Sequence, residues 1–313
     1  MKLQEYEELV MKHRPHLKPI SAHTYAVSLK SIEPEGAEHA KWIEDTKYVL
    51  KQLEKYKETT RKNTLNALIV VLPSQGEPDK PGATAKYVAE RDKYNEMYAE
   101  QSKAHKKTES QEKNWVEWPD YLAMVSEMKT DLAALAGKSE AKDWTWRETL
   151  RYQDYVIALL YSHYPLRNDF GDVEIVSKSA FNNTTTEERK KQNYLIKEQA
   201  KMSLVLNEYK TSKKYGEKTI SIDPEIRKVL ILWFKHNRSG FLLADKKGNA
   251  LGSNGITKSL AKVGLQRLQK RLGSSLLRHS YLSHKYANDT QEKEKDADLM
   301  MHSVAMQDGY IKT

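Results

Sequence analysis

The sequence predicts a mainly α-helical protein with a small antiparallel β-sheet in its C-terminal two thirds. Apolar and aromatic residues recur at three- and four-residue steps through much of the 313-residue chain, which is the period of an amphipathic helix. Short β-type runs occur at 173–177, 202–206 and 218–222, and turn residues separate the last two. Single hydrophobic cores usually stop growing below this chain length, so we expect two domains.

The composition is basic and free of cysteine. The chain has 52 Lys and Arg against 43 Asp and Glu, which gives a net charge of +9 and a pI near 9.2. This balance suits a polyanionic partner, although ribosomal and membrane-surface proteins share it. The absence of cysteine excludes disulfides, thiolate nucleophiles and thiolate metal sites. The charged N-terminus and the lack of an apolar run of ~20 residues predict an intracellular protein without a membrane span.

Residues 1–112 are predicted to form a helical domain. Apolar positions at helical spacing fill 42–53 and 65–71, and Pro73 with the Gly- and Pro-rich stretch 76–82 interrupts the pattern. A long polar helix is expected over 84–107.

Basic and hydroxyl residues gather at the starts of two helices in this domain. Helix N-termini hold phosphate well because their free backbone N–H groups and the helix dipole both favour an anion. The alternative is that Ser21 and Thr60 only cap their helices. The candidates for phosphate contact are Lys18, Ser21, Thr24, Tyr25, Thr60, Arg61 and Lys62.

Residues 113–313 are predicted to form a second, mixed domain. The segment 110–125 resembles a linker that enters a helix, with Pro119 in the first helical turn. A helix over 144–162 precedes the β-type runs. Asp223 is a predicted N-cap for the helix that starts at Pro224. Further helices are expected over 253–270, from Ser274 and Ser275 to about residue 287, and over 292–301.

Four segments of the second domain concentrate the reactive side chains. They read YPLRNDFGDVEIV (164–176), LNEYKTSKKYG (206–216), SSLLRHSYLSHKY (274–286) and DLMMHSVAMQDGYIK (298–312). Their order and content resemble the catalytic domain of tyrosine recombinases of the phage-integrase type, in the style of large eukaryotic DNA viruses and mobile elements. The resemblance covers about residues 145–313 and extends weakly to the N-terminal helices. It implies a helical DNA core-binding domain and an α+β catalytic domain.

The resemblance assigns a role to five residues. Attack on a phosphodiester builds negative charge on the non-bridging oxygens, and guanidinium groups can bind these oxygens bidentately. By resemblance, Arg167 and Arg278 hold the phosphate, His302 donates to a phosphoryl oxygen, and Tyr310 attacks phosphorus to give a 3′-phosphotyrosyl enzyme. Lys210 protonates the leaving 5′ oxygen. The guanidiniums bind the phosphate without a metal, and the bond energy is retained so that no ATP is required; neither a metal nor a cofactor is therefore expected.

Some positions differ from the family pattern. Lys213 and Lys214 lie three and four residues after Lys210, so they are alternative matches to the lysine of the family. Ser275 stands where the family has a histidine, and it is either a weaker phosphate donor, an N-cap, or both. The acid that commonly follows the first arginine by three residues is displaced here: Asp169 or Asp172 either orients Arg167 or is a surface acid.

Two spacings of the histidines also bear on the site. His302 and Tyr310 are eight residues apart, one fewer than is usual in the family. His279 and His284 are five residues apart and do not share a helical face, so a metal site with His302 is not favoured.

The sequence therefore predicts a site-specific DNA recombinase or integrase. Its expected partner is double-stranded DNA, on which it would act as a homotetramer with two synapsed duplexes. Two alternatives stay open: a type IB topoisomerase with the same chemistry, and a recombinase-derived DNA-binding protein without activity. The direction of the reaction and delivery of Tyr310 in cis or in trans are not predicted.

Overall fold

The predicted fold class is confirmed by a computed structural model, in which helices dominate and a small sheet lies in the C-terminal part. The structure describes residues 1–37, 39–72, 82–103, 106–137, 144–286 and 291–310. The chain divides into two compact units, Met1–Ala104 and His105–Thr313. Within the described residues, no helix combines the length and the apolar character needed to cross a membrane.

The N-terminal unit is helical throughout its described residues. Its elements are α1 (Leu3–His13), α2 (Pro19–Lys30), a 3-10 helix (Ala40–Glu44), α3 (Thr46–Leu53), α4 (Glu58–Val71) and α5 (Ala83–Lys103). Helix α2 contacts both α1 and α4, and α4 also contacts α5. The core between them contains the fully buried side chains of Leu29, Leu65 and Leu68. The predicted break at Pro73 and the Gly- and Pro-rich stretch lies outside the described residues up to Pro81.

The C-terminal unit contains the other helices of the described residues. They are α6 (Glu109–Asn114), α7 (Trp118–Asp131), α8 (Ala133–Ala136), α9 (Trp146–His163), α10 (Lys178–Asn183), α11 (Thr186–Arg189), α12 (Ser212–Tyr215), α13 (Pro224–His236), α14 (Gly252–Leu268), α15 (Ser274–Lys285), α16 (Gln291–Leu299) and α17 (Val304–Asp308). Asp223 caps α13 as predicted, because its carboxylate accepts a hydrogen bond from the N–H of Glu225 at 2.7 Å.

The expected linker at 110–125 is wrong in its first part. Residues 109–114 form α6, which Thr108 and Gln111 start with a reciprocal capping box. The two bonds satisfy N–H groups that the first turn would otherwise leave free, so a short polar helix forms where the composition suggested a linker. Pro119 is in the first turn of α7, as predicted.

The sheet is mixed rather than antiparallel. Its strands β1 (Glu174–Ser177), β2 (Tyr194–Lys197), β3 (Met202–Leu206) and β4 (Lys218–Ser221) lie in sequence order. Strand β1 pairs with β2 in parallel, whereas the pairs β2–β3 and β3–β4 are antiparallel. A parallel pair needs a crossover of a dozen or more residues, which α10 and α11 provide. The sequence prediction lacked β2, whose first three residues are all buried and show no alternation.

Helix α9 lies at the centre of the C-terminal core. It contacts α7, α13 and α14. The buried hydroxyl of Tyr121 in α7 donates to the carbonyl of Ala158 in α9 at 2.8 Å. In α13, the indole N–H of Trp233 donates to the carbonyl of Leu242 at 2.8 Å. Because neighbours on several sides fix α9, the segment that follows it leaves the core at a defined point.

Gly171 lies in the segment that follows α9, and a substitution at this position tests how closely the segment approaches α14. A Cβ at Gly171 would lie 2.5 Å from the carbonyl carbon of Gly252, the first residue of α14. We expect Gly171→Ala to lower the free energy of unfolding by about 1–3 kcal/mol, because backbone must move to admit the methyl group. The control is Gly137→Ala, whose Cβ would lie 3.7 Å from its nearest neighbour, the carbonyl oxygen of Ala134. Urea unfolding followed by tryptophan fluorescence measures both; equal midpoints would contradict the close approach.

Candidate active site

Arg167 follows the C-terminal end of α9 in a segment that is held on both sides. On one side, the hydroxyl of Tyr164 donates to the carbonyl of Ser221 at 3.1 Å, which joins the segment to β4. On the other, the side-chain amide of Asn168 donates to the hydroxyl of Thr257 in α14 at 2.8 Å. The main chain of Arg167 is therefore positioned by the sheet and by α14 together.

Arg278 approaches the same segment from α15. Its side chain is 6% exposed, and its Nη1 donates to the carbonyl oxygen of Leu166 at 3.2 Å. The Nε of Arg278 and the Nη1 of Arg167 are buried and form no hydrogen bond within the described residues. None of the ion pairs among those residues includes either arginine. Buried donors are nearly always satisfied, so two arginines with spare donors indicate a site for an external acceptor.

His302 lies in the loop between α16 and α17. Met301 before it adopts a left-handed φ of 56°, and the N–H of His302 donates to the carbonyl of Ala297 at 3.0 Å. The imidazole is 4% exposed, and neither ring nitrogen has a partner within the described residues. Burial, together with the positive charges of Arg167 and Arg278, lowers the pKa of His302 to about 4. The ring is therefore neutral at physiological pH.

Tyr310 follows α17 and lies against the other candidate residues. Its ring stacks on His302 with the centroids 5.4 Å apart and the planes 15° apart. The guanidinium carbon of Arg278 is 5.4 Å from the centroid of the same ring. The structure thus brings Arg167, Arg278, His302 and Tyr310 together in the C-terminal unit.

Lys210 lies in the turn after β3 and is exposed. Its neighbour Thr211 donates from the hydroxyl to the carbonyl of Met301 at 3.1 Å, so this turn touches the loop that carries His302. Lys213 and Lys214 belong to α12 and are exposed as well. Among the described residues, the ammonium of Lys210 forms no hydrogen bond and no ion pair.

Ser275 and the two aspartates have different surroundings. Ser275 is exposed in the first turn of α15, three residues before Arg278 and hence on the same helical face. The N-cap interpretation of Ser275 is wrong, because α15 starts earlier and Gly273 is its N-cap. Asp172 accepts a hydrogen bond from the side-chain amide of Asn193, whose N–H also donates to the carbonyl of Asp169 at 2.9 Å. Orientation of Arg167 by either aspartate stays a prediction.

The candidate phosphate contacts of the N-terminal unit are the N-cap Lys18 and residues in the first two turns of α2 and α4. Ser21 and Thr60 do not cap these helices: the N-caps are Lys18 and Lys57, and neither side chain forms a capping bond. Each helix begins at least two residues before its hydroxyl residue, which places the hydroxyl inside the first turn rather than before it.

Four further residues of this set have contacts of their own. Arg61 donates to the carbonyls of Tyr56 and Glu54, both at 2.7 Å, so its guanidinium supports the turn between α3 and α4. The ammonium of Lys62 lies 4.9 Å from the ring centroid of Tyr98. Thr24 donates to the carbonyl of Ile20 at 2.8 Å, and Tyr25 packs against the core. Of these, only Lys62 presents its charged group on an aromatic ring, the geometry of a cation–π contact.

Sequence reasoning missed two residues that contact the site. His279 contacts Tyr310, and Thr211 joins the turn of Lys210 to the loop of His302. The only sequence signal was adjacency, since each directly follows a candidate residue. Among the described residues, no group of three or more His, Asp or Glu could hold a metal ion.

Comparison of this chain with known proteins shows a similarity of fold. No model of a protein family and no curated protein sequence matches the chain. Among solved structures, the crystal structure of XerA recombinase is similar over 100% of this chain and 94% of that chain, with 12% sequence identity and a TM-score of 0.42. The likeness concerns the fold alone.

The low pKa of His302 predicts a pH dependence of stability. The pKa is about 4 in the folded protein and 6.5 ordinarily, so between these values the unfolded chain binds a proton that the folded protein excludes. Above pH 6.5, His302 is neutral in both states and makes its full contribution to the free energy of unfolding. This contribution decreases as the pH is lowered towards 4, and at pH 5 it is smaller by about 2 kcal/mol.

Urea unfolding at pH 7 and pH 5 measures the effect. Between pH 7 and pH 5, we expect the free energy of unfolding of His302→Gln to decrease by about 2 kcal/mol less than that of the wild type, because glutamine does not titrate. The same loss in both proteins would contradict a buried neutral imidazole.

Proposed function

We propose that this protein is a tyrosine recombinase that breaks and rejoins double-stranded DNA through Tyr310. The observation that carries the proposal concerns four residues: Arg278 and His302 lie against the ring of Tyr310, and the charge of Arg167 acts on His302. Within the described residues, both arginines keep a buried N–H without an acceptor, and neither ring nitrogen of His302 has a partner. A phosphodiester supplies the acceptor oxygens that these groups lack. Buried cations without a carboxylate partner are otherwise costly to keep.

The proposed reaction needs only this chain and DNA. The phenolic oxygen of Tyr310 loses its proton and attacks phosphorus, and the bond from phosphorus to the 5′ oxygen breaks. Lys210 protonates the departing 5′ oxygen, which leaves a 3′-phosphotyrosyl enzyme and a free 5′-hydroxyl. Attack by a 5′-hydroxyl then reverses these steps and rejoins the strand. Because the phosphodiester energy is kept in the tyrosyl ester, no nucleotide is consumed.

Arg167, Arg278 and His302 stabilise the charge that develops on the phosphate. The spare N–H groups of the two guanidiniums are positioned before the DNA arrives, so little reorganisation is required during the reaction. Neutral His302 has one ring N–H to donate to a phosphoryl oxygen. A bound phosphate would also offset the two positive charges that depress the pKa of His302.

The wider proposal concerns how DNA is held and exchanged. The basic first turns of α2 and α4 would contact backbone phosphates, which makes affinity steeply dependent on salt. Exchange between two duplexes requires four active sites, so we propose a homotetramer on synapsed DNA. The viral or mobile-element style of the sequence suggests integration or excision of DNA as the biological role.

The nucleophile is tested with nicked suicide substrates, which lose the 5′-hydroxyl fragment and trap the covalent intermediate. The DNA is drawn from the region that flanks the gene and from sequences selected for binding. We expect a DNA-linked protein band with the wild type and with the control Tyr94→Phe, and no band with Tyr310→Phe. Persistence of the band in Tyr310→Phe would disprove the role of this residue.

Two other results, one from this experiment and one from a plasmid relaxation assay, would also overturn the proposal. Failure of the wild type to form a band on any bound DNA would favour a DNA-binding protein without activity. Relaxation of supercoiled plasmid by a monomer, without joined products from two duplexes, would identify a type IB topoisomerase instead.

The arginine clamp is tested by Arg278→Lys. Lysine keeps the charge but lacks the planar fork that binds two oxygens at once, so we expect the rate of the first cleavage to fall about 100-fold. The dissociation constant for DNA at fixed salt should stay within about threefold, because one contact among many contributes little to affinity. Arg238→Lys is the control, since Arg238 is exposed and distant in sequence from the four segments. A cleavage rate of Arg278→Lys within threefold of the wild type would contradict a bidentate role.

A further inference from the structure

His279 contacts the candidate nucleophile in two ways. Its Nδ1 lies 2.7 Å from the main-chain carbonyl oxygen of Tyr310. A carbonyl oxygen only accepts, so Nδ1 carries the hydrogen and donates it. The two rings also contact each other, with centroids 4.7 Å apart and planes tilted by 48°. His279 therefore holds both the backbone and the side chain of Tyr310.

The position of His279 connects the nucleophile to the phosphate clamp. His279 directly follows Arg278, so a single turn of α15 carries a guanidinium of the clamp and the contact with Tyr310. This turn is fixed in the core, because Leu277 is fully buried and the hydroxyl of Ser280 donates to the carbonyl of Val116 at 2.6 Å. The other main-chain bond of Tyr310 in the described residues is local, from its N–H to the carbonyl of Gln307 at 2.8 Å.

We propose that His279 is a positioning residue that holds Tyr310 in the active site of its own chain. The proposal rests on the proposed function, and it adds a role for a histidine to which the resemblance assigns none. His279 does not touch the reacting atoms: it acts through the main chain of Tyr310, to which Nδ1 donates. Arg278, His279 and His302 of one chain all contact this tyrosine.

The physical reason for such a contact is the geometry of attack. The phenolic oxygen must approach phosphorus in line with the leaving 5′ oxygen, and an error of about 1 Å can slow a reaction about 100-fold. Tyr310 follows α17, a helix of five residues, which alone gives little rigidity. A hydrogen bond from the buried helix α15 supplies a fixed reference for its main chain.

Two substitutions separate the hydrogen bond from ring packing. His279→Asn keeps an N–H close to the position of Nδ1 and loses the ring, whereas His279→Phe keeps a ring and loses the donor. The control is His284→Phe, an exposed position on the same helix. The measurement is the rate of first-turnover cleavage on the suicide substrate, together with the dissociation constant for DNA.

We expect His279→Phe to cleave about 100-fold more slowly, with unchanged DNA affinity, and His279→Asn to stay within about threefold of the wild type. A purely structural role of the ring predicts the reverse order, and that order would overturn the proposal, as would equal rates in both variants. Failure of the wild type to form any adduct would instead refute the proposed function, so the two failures are distinguishable.

Discussion

A hydrogen bond from the guanidinium of Arg278 to the carbonyl of Leu166 joins helix α15 to the segment that follows the central helix α9. The arrangement of the candidate site depends on this bond. It brings Arg278 beside Arg167, although 111 positions separate the two in the sequence. The buried core around α9 and the bonds of Tyr164 and Asn168 hold one side of this junction, and the buried face of α15 holds the other.

The electrostatics of the site follow from the same junction. Burial is the first cause of the low pKa of His302. Two guanidiniums near each other, with no ion pair to a carboxylate in the described part of the chain, repel further positive charge and lower this pKa as well. Such an arrangement is unfavourable for folding alone, because buried donors are left unsatisfied. Local conflicts of this kind are expected where a site is preorganised for a ligand, here an anion with several acceptor oxygens.

Much of the fold could be predicted from the sequence, because long helices have a clear period and some have strong start signals, such as Asp223 before Pro224. Strand β2 and the short helices α6, α10 and α17 could not, since segments this short contain too little of any period. For the site, the order of four segments was sufficient to propose Arg167, Arg278, His302 and Tyr310. The contact of His279 with the nucleophile arises from tertiary packing, and along the chain only its position next to Arg278 points to it.

The most direct test of the account is to locate the covalent bond itself by mass spectrometry. Protein trapped on a suicide substrate is digested with nuclease and trypsin, and the peptide that carries nucleotide is sequenced. The tryptic peptide 296–312 contains Tyr310 and no other tyrosine. The account predicts a 3′-linked nucleotide on this tyrosine. A nucleotide on any other residue, or a trapped complex without a covalent bond, would contradict it.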